Sequence, residues 1–416
     1  MPQTEQRNIV IIGGGIIGCT TAYYLTRHKS YSPSTTKITV LEASAHGVAQ
    51  GASGKAGGLV AKWAYPREIV DISFPEHVKL AEEHNGTARW GWRTVKCGSW
   101  EGIGEDLSRE IGTGVGKGGK RKSLEKTLGL DPEPGLSSGS MSRGGHATRV
   151  HPHDLNWVKE HLTESYEPMP GATAQVHPYL FTTSMMELST EKGATLLQGS
   201  ATSIEREKGQ VVGVRYDDPT DHTSKVLPAT HVILAAGAWS PCIPPFTNLP
   251  ISATRAHSVT IHPKPNVTIA PYVLFTEVKL PHGDLVQPEI YARPDNEVYA
   301  CGPGDDSRLP GNVDDVEVDP AACESVWQHV ASISQEFREG TIEKRQACFL
   351  PTVSVGGGPI IGEAPQKYGK GVYIATGHTC WGICNAPGTA KVMAELIMDG
   401  KIHSGNLKKL APSRFL

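Results

Sequence analysis

The sequence predicts an α/β protein, α+β over its whole length, in which a parallel-stranded unit is interrupted by an antiparallel sheet. Three observations carry that prediction. An apolar run, a glycine cluster and a helix-like pattern open the chain in "RNIVIIGGGIIGCTTAYYL" (7–25). A strand, a glycine-containing loop and a long amphipathic helix close it in "GVYIATGHTCWGICNAPGTAKVMAELIMDGK" (371–401). Between 251 and 305, short strand-like segments alternate with proline-marked turns, as in an antiparallel sheet.

The elements follow in order. Asn8 to Ile12 reads as a short buried strand and Thr20 to Arg27 as the helix after it. Gly13, Gly15 and Gly18 between them form G-x-G-x-x-G. The first glycine allows a tight turn, the second lets backbone approach a pyrophosphate, and the third lets helix and strand pack closely. The helix N-terminus then faces the anion. A second strand, Lys37 to Leu41, ends on Glu42, 24 residues past Gly18. That is near the offset at which an acid takes ribose hydroxyls, and an acid there disfavours a 2′-phosphate and so NADP. The plainer reading of Glu42 is a surface carboxylate after a strand. With the strand, glycines and helix upstream, the opening stretch is expected to hold the ADP half of a dinucleotide. A second glycine match, Gly114 to Gly119, lacks a preceding strand, and Arg121 stands where a Walker A motif needs Ser or Thr. It reads as a solvated loop.

The small-residue run "GASGKAGGLVA" (51–61) permits backbone to lie against a flat ligand. Residues 99–145, rich in Gly, Ser and Lys, read as a flexible surface insertion. A helix is expected over Tyr179 to Lys192, two strands about a turn at Glu207 to Gly209, an apolar strand entering "LAAGAWS", and a helix over Asp319 to Phe337. The expected division is a discontinuous dinucleotide-binding domain (1–90, 172–240 and 345–416) and a substrate domain (91–171 and 241–344).

Composition describes an ordinary globular chain of 416 residues, 38% hydrophobic, with a net charge of −3. Nothing in it points to nucleic acid or a membrane surface. No apolar run reaches the length of a membrane span, and the early first strand leaves no room for a signal peptide. The eight cysteines include no C-x-x-C and no zinc-like pairing with histidine, so no metal site is expected and the thiols read as those of a reducing compartment. A cytoplasmic location is the resulting expectation.

G-G-G-I-I-G with Glu42, "GASGKAGG", "LAAGAWS" and "TGHTCWGICNAPGTAK", in that order, resemble the D-amino-acid oxidase/glycine oxidase/sarcosine oxidase family of FAD-dependent oxidoreductases. "YARPDNEVYACGP" and "GGPIIG" resemble a fungal oxidoreductase branch of uncertain substrate. The resemblance implies a Rossmann-like domain with FAD extended along it. The ADP end would lie on Gly13, Gly15, Ile16, Gly18, Glu42 and Ala43. Ser53, Gly57, Gly58 and Leu59 would sit near the pyrophosphate or flavin, and Thr202 near the adenine. Ala236, Gly237 and Trp239 would pack on the cofactor. Gly362, Gly377, His378, Trp381, Gly382 and Ile383 would close round the isoalloxazine. A second helix N-terminus suits the charge of reduced flavin at N1 and O2. With one acceptable dinucleotide motif, a separate NAD(P)H domain is disfavoured.

The family implies oxidation of a C–N bond of an amine or amino acid by hydride transfer to flavin N5, with oxygen or another acceptor taking the electrons. A flavin dehydrogenase, or an FAD-stabilised interaction protein with little turnover, stands as the alternative. Glycine-oxidase-like members grip the substrate carboxylate with the arginine of a Leu-Arg-Pro motif, but here Leu350 directly precedes Pro351. Arg293, with Tyr291 two residues away on the same strand face, is the candidate replacement. His378 and Lys62 are further catalytic candidates, against plainer readings as a packed loop histidine and a solvated lysine. The lysine that sarcosine-oxidase-like members place near "VYACGPG" is missing. Cys348 stands where covalent members attach FAD, without their surrounding residues, so FAD is expected to be non-covalent.

Overall fold

The computed structural model describes residues 6–107 and 151–416. The rejected glycine match at Gly114–Gly119 and the insertion from 108 to 145 lie outside the described residues. Its first residues, expected to be loop, instead continue a strand, Lys96–Ile103.

The first strand, β1 (Arg7–Ile12), lies inside a six-stranded sheet. It pairs in parallel with β2 (Thr36–Glu42) on one side and with His231–Leu234 on the other. Val372–Thr376 and Thr195–Gln198 continue the sheet in parallel, and Ile360–Glu363 adds an antiparallel edge. Strands covered on both faces read as unbroken apolar runs. Ile9 and Ile11 of β1 accordingly enter one core with the helices, while Val10 and Ile12 enter a second core under a three-stranded sheet spanning Ser200–Pro228.

Helix α1 (Ile16–Thr26) begins four residues before the Thr20 expected from sequence. Gly15 is its N-cap and Gly18 belongs to its first turn. The reason is contact: a Cβ on Gly18 would collide with the Gly13 carbonyl oxygen and touch Ile11. Gly13 takes φ +110°, and a Cβ there would lie 2.5 Å from the Ala235 carbonyl oxygen. The glycines thus bring two chain crossings together at the carboxyl ends of the parallel strands. The predicted helix over 319–337 divides. Asp319 caps Pro320–Ala331, and Ser334 caps the short Gln335–Arg338 after it.

The second sheet runs in the spatial order Thr341–Val353, Ile251–His262, Val298–Asp305, Glu289–Ala292, Tyr272–Lys279, Lys96–Ile103 and Thr163–Pro168. The sequence boundary drawn at 345 falls inside the first of these strands. Alternation divides its two faces. Ile290, Ala292, Val298 and Ala300 point into a core against Cys323, Val326 and Val330 of the helix Pro320–Ala331. Glu289, Tyr291, Tyr299 and Cys301 point the other way, toward the first sheet. No helix among the described residues is long and apolar enough to cross a membrane.

Replacing Gly18 with Ala forces a methyl group into the β1–α1 turn. Urea unfolding of Gly18→Ala should show a loss of about 1–3 kcal/mol, typical of overpacking. Unchanged stability would mean the turn can open freely.

Candidate functional site

Between the two sheets lies a long cleft enclosing about 1640 Å³ of atom-free space, its mouth included. At one end stand Gly13, Gly15, Ile16 and Glu42, with Ala43 beside them. The Glu42 carboxylate is buried and accepts hydrogen bonds from Gly14 N (2.6 Å) and Ser44 N (2.8 Å). Burial raises its pKa, the two N–H bonds oppose the rise, and the nearby Asp314 charge adds to it. Hydroxyl donors from a ribose would suit this carboxylate better than further negative charge.

Helix α1 has no acidic residue in its first turn and no side-chain cap, although Ser53 Oγ accepts a hydrogen bond from Ile16 N at 2.9 Å. The C-terminal helix Gly382–Asp399 also starts without an acid or a capping side chain, and Gly382 and Ile383 line the same cleft. Two positive helix ends therefore meet one cavity. Between them, Gly237 takes φ +53°, and a Cβ there would meet no atom within 4 Å because it would project into the cleft. Gly57 and Gly377 line the cavity as well; a Cβ on Gly57 would strike the Tyr291 ring at 2.6 Å. Backbone donors from two helix N-termini, open space at Gly237 and a buried acid after β2 fit an extended FAD.

The structure gathers most of the sequence-predicted residues here, Ser53, Ala236 and Trp239 included. Others stand behind the lining. Gly18 packs the turn, Gly58 abuts the Val176 carbonyl and Gly362 abuts Pro412. Leu59 is buried at the start of the short strand Leu59–Ala61. Trp381 sits edge-on to Trp63 and Tyr65. Thr202 is displaced from the cleft by its neighbours Gly199, Ser200 and Ala201, which line it.

Among the catalytic candidates, Tyr291 and His378 line the cleft, whereas Arg293 and Lys62 do not. Arg293 keeps an extended backbone (φ −88°, ψ 165°) and its N–H donates to Glu297 O, so it stays on the Tyr291 face but lies outside the cleft lining. The turn sends its guanidinium to Glu297, at 2.7 Å from Nη1, and to the Ala56 carbonyl oxygen from Nη2. The Tyr299 ring lies beneath it. Lys62 is exposed, with Nζ 5.2 Å from the Phe74 ring centroid. His378 Nε2 lies 3.0 Å from Thr389 Oγ1, and burial lowers its pKa to about 3, leaving a neutral imidazole.

Several lining residues escaped the sequence reading. Lys55 enters the cleft and donates from Nζ to the Ala347 carbonyl oxygen at 3.0 Å. Glu289, Tyr299 and Cys301 arrive through the alternation of their strands. Gly311, Asn312 and Val313 cross the dinucleotide end as a strap. Asp314 holds it there by accepting from Ser44 Oγ (2.6 Å) and Ala45 N (2.8 Å), and Trp239 Nε1 donates to Pro310 O. No motif in the loop announces these contacts. Cys348 lines the cleft with its pKa raised to about 11 by burial, against the opposing charge of Lys55.

The description FAD dependent oxidoreductase (DAO) matches residues 8–396 of the chain. TDA3 of Saccharomyces cerevisiae, provisionally named an oxidoreductase, is 32% identical over 99% of this chain and 95% of its own. C1F5.03c of Schizosaccharomyces pombe, named in the same provisional way, is 31% identical over 98% of both chains. The crystal structure of glycine oxidase from Geobacillus kaustophilus superposes with a TM-score of 0.68 at 17% identity, covering 99% of this chain and 100% of that one.

Three outcomes follow from this geometry. Gly15 has an ordinary φ of −74°, and a Cβ would meet only Ser53 Oγ, at 3.0 Å. Gly15→Val should therefore fold but lose flavin, as read by the absorbance of the purified protein. Retained FAD would remove the pyrophosphate from this turn. Acid precipitation should release the flavin into the supernatant, since a thiol held protonated is a poor nucleophile; yellow pellets that turn colourless in Cys348→Ala would reverse this. Arg293→Leu leaves Glu297 buried without its cation and should cost about 3–5 kcal/mol in urea unfolding. Parental stability in that variant would show that the pair carries little of the fold.

Proposed function

The chain belongs to the DAO family of FAD-dependent oxidoreductases, and on that premise we propose that it oxidises a C–N bond of an amine or amino acid. The observation that carries this reading is the position of the second sheet. Its face bearing Glu289, Tyr291, Tyr299 and Cys301 closes the same cleft that Gly377, Gly382 and Ile383 line from the first sheet. A small molecule between them would be enclosed by side chains no more than 8% exposed. FAD, when bound, supplies the acceptor for two electrons and a proton.

The residues of the chain orient the substrate and keep water from it. Tyr291 donates its hydroxyl proton to Glu289 Oε2 at 2.6 Å, which fixes both side chains. The neutral His378 braces the loop ahead of the C-terminal helix through Thr389 and adds no charge to the cleft. Glycine oxidase, by its name an enzyme that oxidises an amino acid, has the same fold at low identity and supports the reaction class, not the substrate.

Anaerobic mixing of the holoprotein with a panel of amines and amino acids tests the proposal. At least one should bleach the flavin, and hydrolysis of the resulting imine should release a carbonyl product. Return of colour in air would identify an oxidase, and persistent bleaching a dehydrogenase with another acceptor. Bleaching by hydroxy acids alone would overturn C–N oxidation.

A further inference from the structure

We infer that Glu289 recognises the substrate by accepting a hydrogen bond from a cationic amine nitrogen and takes that proton before the α-carbon gives up hydride, so that the cleft selects amines by that nitrogen and not by a carboxylate. The inference rests on the reading of the cleft as a C–N oxidising site and names what that site admits.

Glu289 is 4% exposed on the strand Glu289–Ala292 and lines the cleft. Its two oxygens are unequal. Oε2 accepts from the Tyr291 hydroxyl at 2.6 Å and lies 3.7 Å from Cys301 Sγ. Oε1 is buried and has no hydrogen-bond partner among the described residues. A buried carboxylate oxygen without a donor is costly, and on a residue that lines a ligand cavity it calls for a donor from the ligand. Burial raises the carboxyl pKa against the hydrogen bonds from Tyr291 and Cys301, and a cation at Oε1 would counter that burial cost.

The surroundings favour a cation over an anion. The Tyr291 ring lines the cleft with Phe275 packed edge-on against it, while the neighbouring Tyr299 ring already carries the Arg293 guanidinium on one face. Aromatic faces attract positive charge. Among the described lining residues there is no arginine, since Arg293 is engaged with Glu297 and Ala56 behind the cleft. Leu350, where the family resemblance leads one to look for the carboxylate-gripping arginine, contributes an apolar side chain. The remaining lining bases are Lys55, held at the Ala347 carbonyl oxygen, and the neutral His378. A substrate carboxylate finds no guanidinium, whereas an ammonium finds an oxygen lacking a donor.

The test uses the holoprotein under anaerobic conditions, with n-butylamine, N-methylbutylamine and benzylamine, the N-acetyl form of each, and butanoate. Binding is read from perturbation of the flavin spectrum and turnover from its bleaching. An amine should perturb the spectrum and its N-acetyl form should not, a comparison that needs no variant. Glu289→Gln keeps the shape and the Tyr291 contact and should retain FAD. It should weaken amine binding about ten- to a hundredfold, as expected for loss of a charge-assisted hydrogen bond. An amine that bleaches the parent and Glu289→Gln with equal affinity would overturn the inference and leave C–N oxidation standing. Amine binding that depends on Glu289 but never bleaches the flavin would support the recognition and sink the C–N reading. Butanoate binding as tightly as the amines, or no response to any amine, would overturn the inference, the former pointing to Lys55.

Discussion

A pyrophosphate can leave water for a protein cleft only if fixed dipoles replace the solvent that it loses. Here the replacement comes from backbone at two distant places in the chain. The N-terminus of α1, opened by Gly13 and Gly15, and the N-terminus of the C-terminal helix both open on the cleft, where they would suit the phosphates and the flavin. Neither helix carries an acidic residue in its first turn, which would compete with the ligand's charge. The parallel sheet explains how residues so far apart in sequence converge. Strand β1 lies beside His231–Leu234, which lies beside Val372–Thr376, so all three strand-end loops open on one side. Gly13 and Gly18 are the steric condition for that convergence, because larger side chains would separate the crossings.

The second sheet depends on the first but follows a different rule. Period-two alternation gives its strands a dry face against the helix Pro320–Ala331 and a functional face toward the cleft. Two structural ties hold it in place. The ion pair of Arg293 with Glu297, joined to the Ala56 carbonyl, ties it to the small-residue loop that lines the cleft. The strap at Gly311–Val313, anchored by Asp314, ties it to the ribose end. The cleft is thus clasped at both ends by contacts between the sheets.

Much of this was legible in the sequence because it is local. The turn glycines, Glu42 at its offset, and the loop ahead of the last helix are short patterns whose geometry follows from a few adjacent residues. The functional face of the second sheet was not. Whether Glu289 or Ile290 faces the cleft depends on strand register, and register is set by pairing with residues distant in the chain. Arg293 shows how narrow the margin is. Alternation carries it to the Tyr291 face, but Glu297 and the Ala56 carbonyl take its guanidinium and it stops short of the cleft lining. Lys55 stands in a loop of small residues and was hidden by its composition, and the strap has no motif at all. Local sequence thus specifies the glycine turns and helix ends of the cleft, while long-range pairing decides what stands opposite them.

On this reading one cleft would hold FAD by its ADP half, with Glu42 accepting the ribose hydroxyls and excluding a 2′-phosphate. The most direct measurement is calorimetric titration of the apoprotein with FAD in the presence of ADP or of 2′-phospho-ADP. One FAD should bind per chain, weakened competitively by ADP and left almost unaffected by 2′-phospho-ADP. Equal competition by the two nucleotides would contradict the role of Glu42, and FAD binding indifferent to both would place the adenosine half elsewhere.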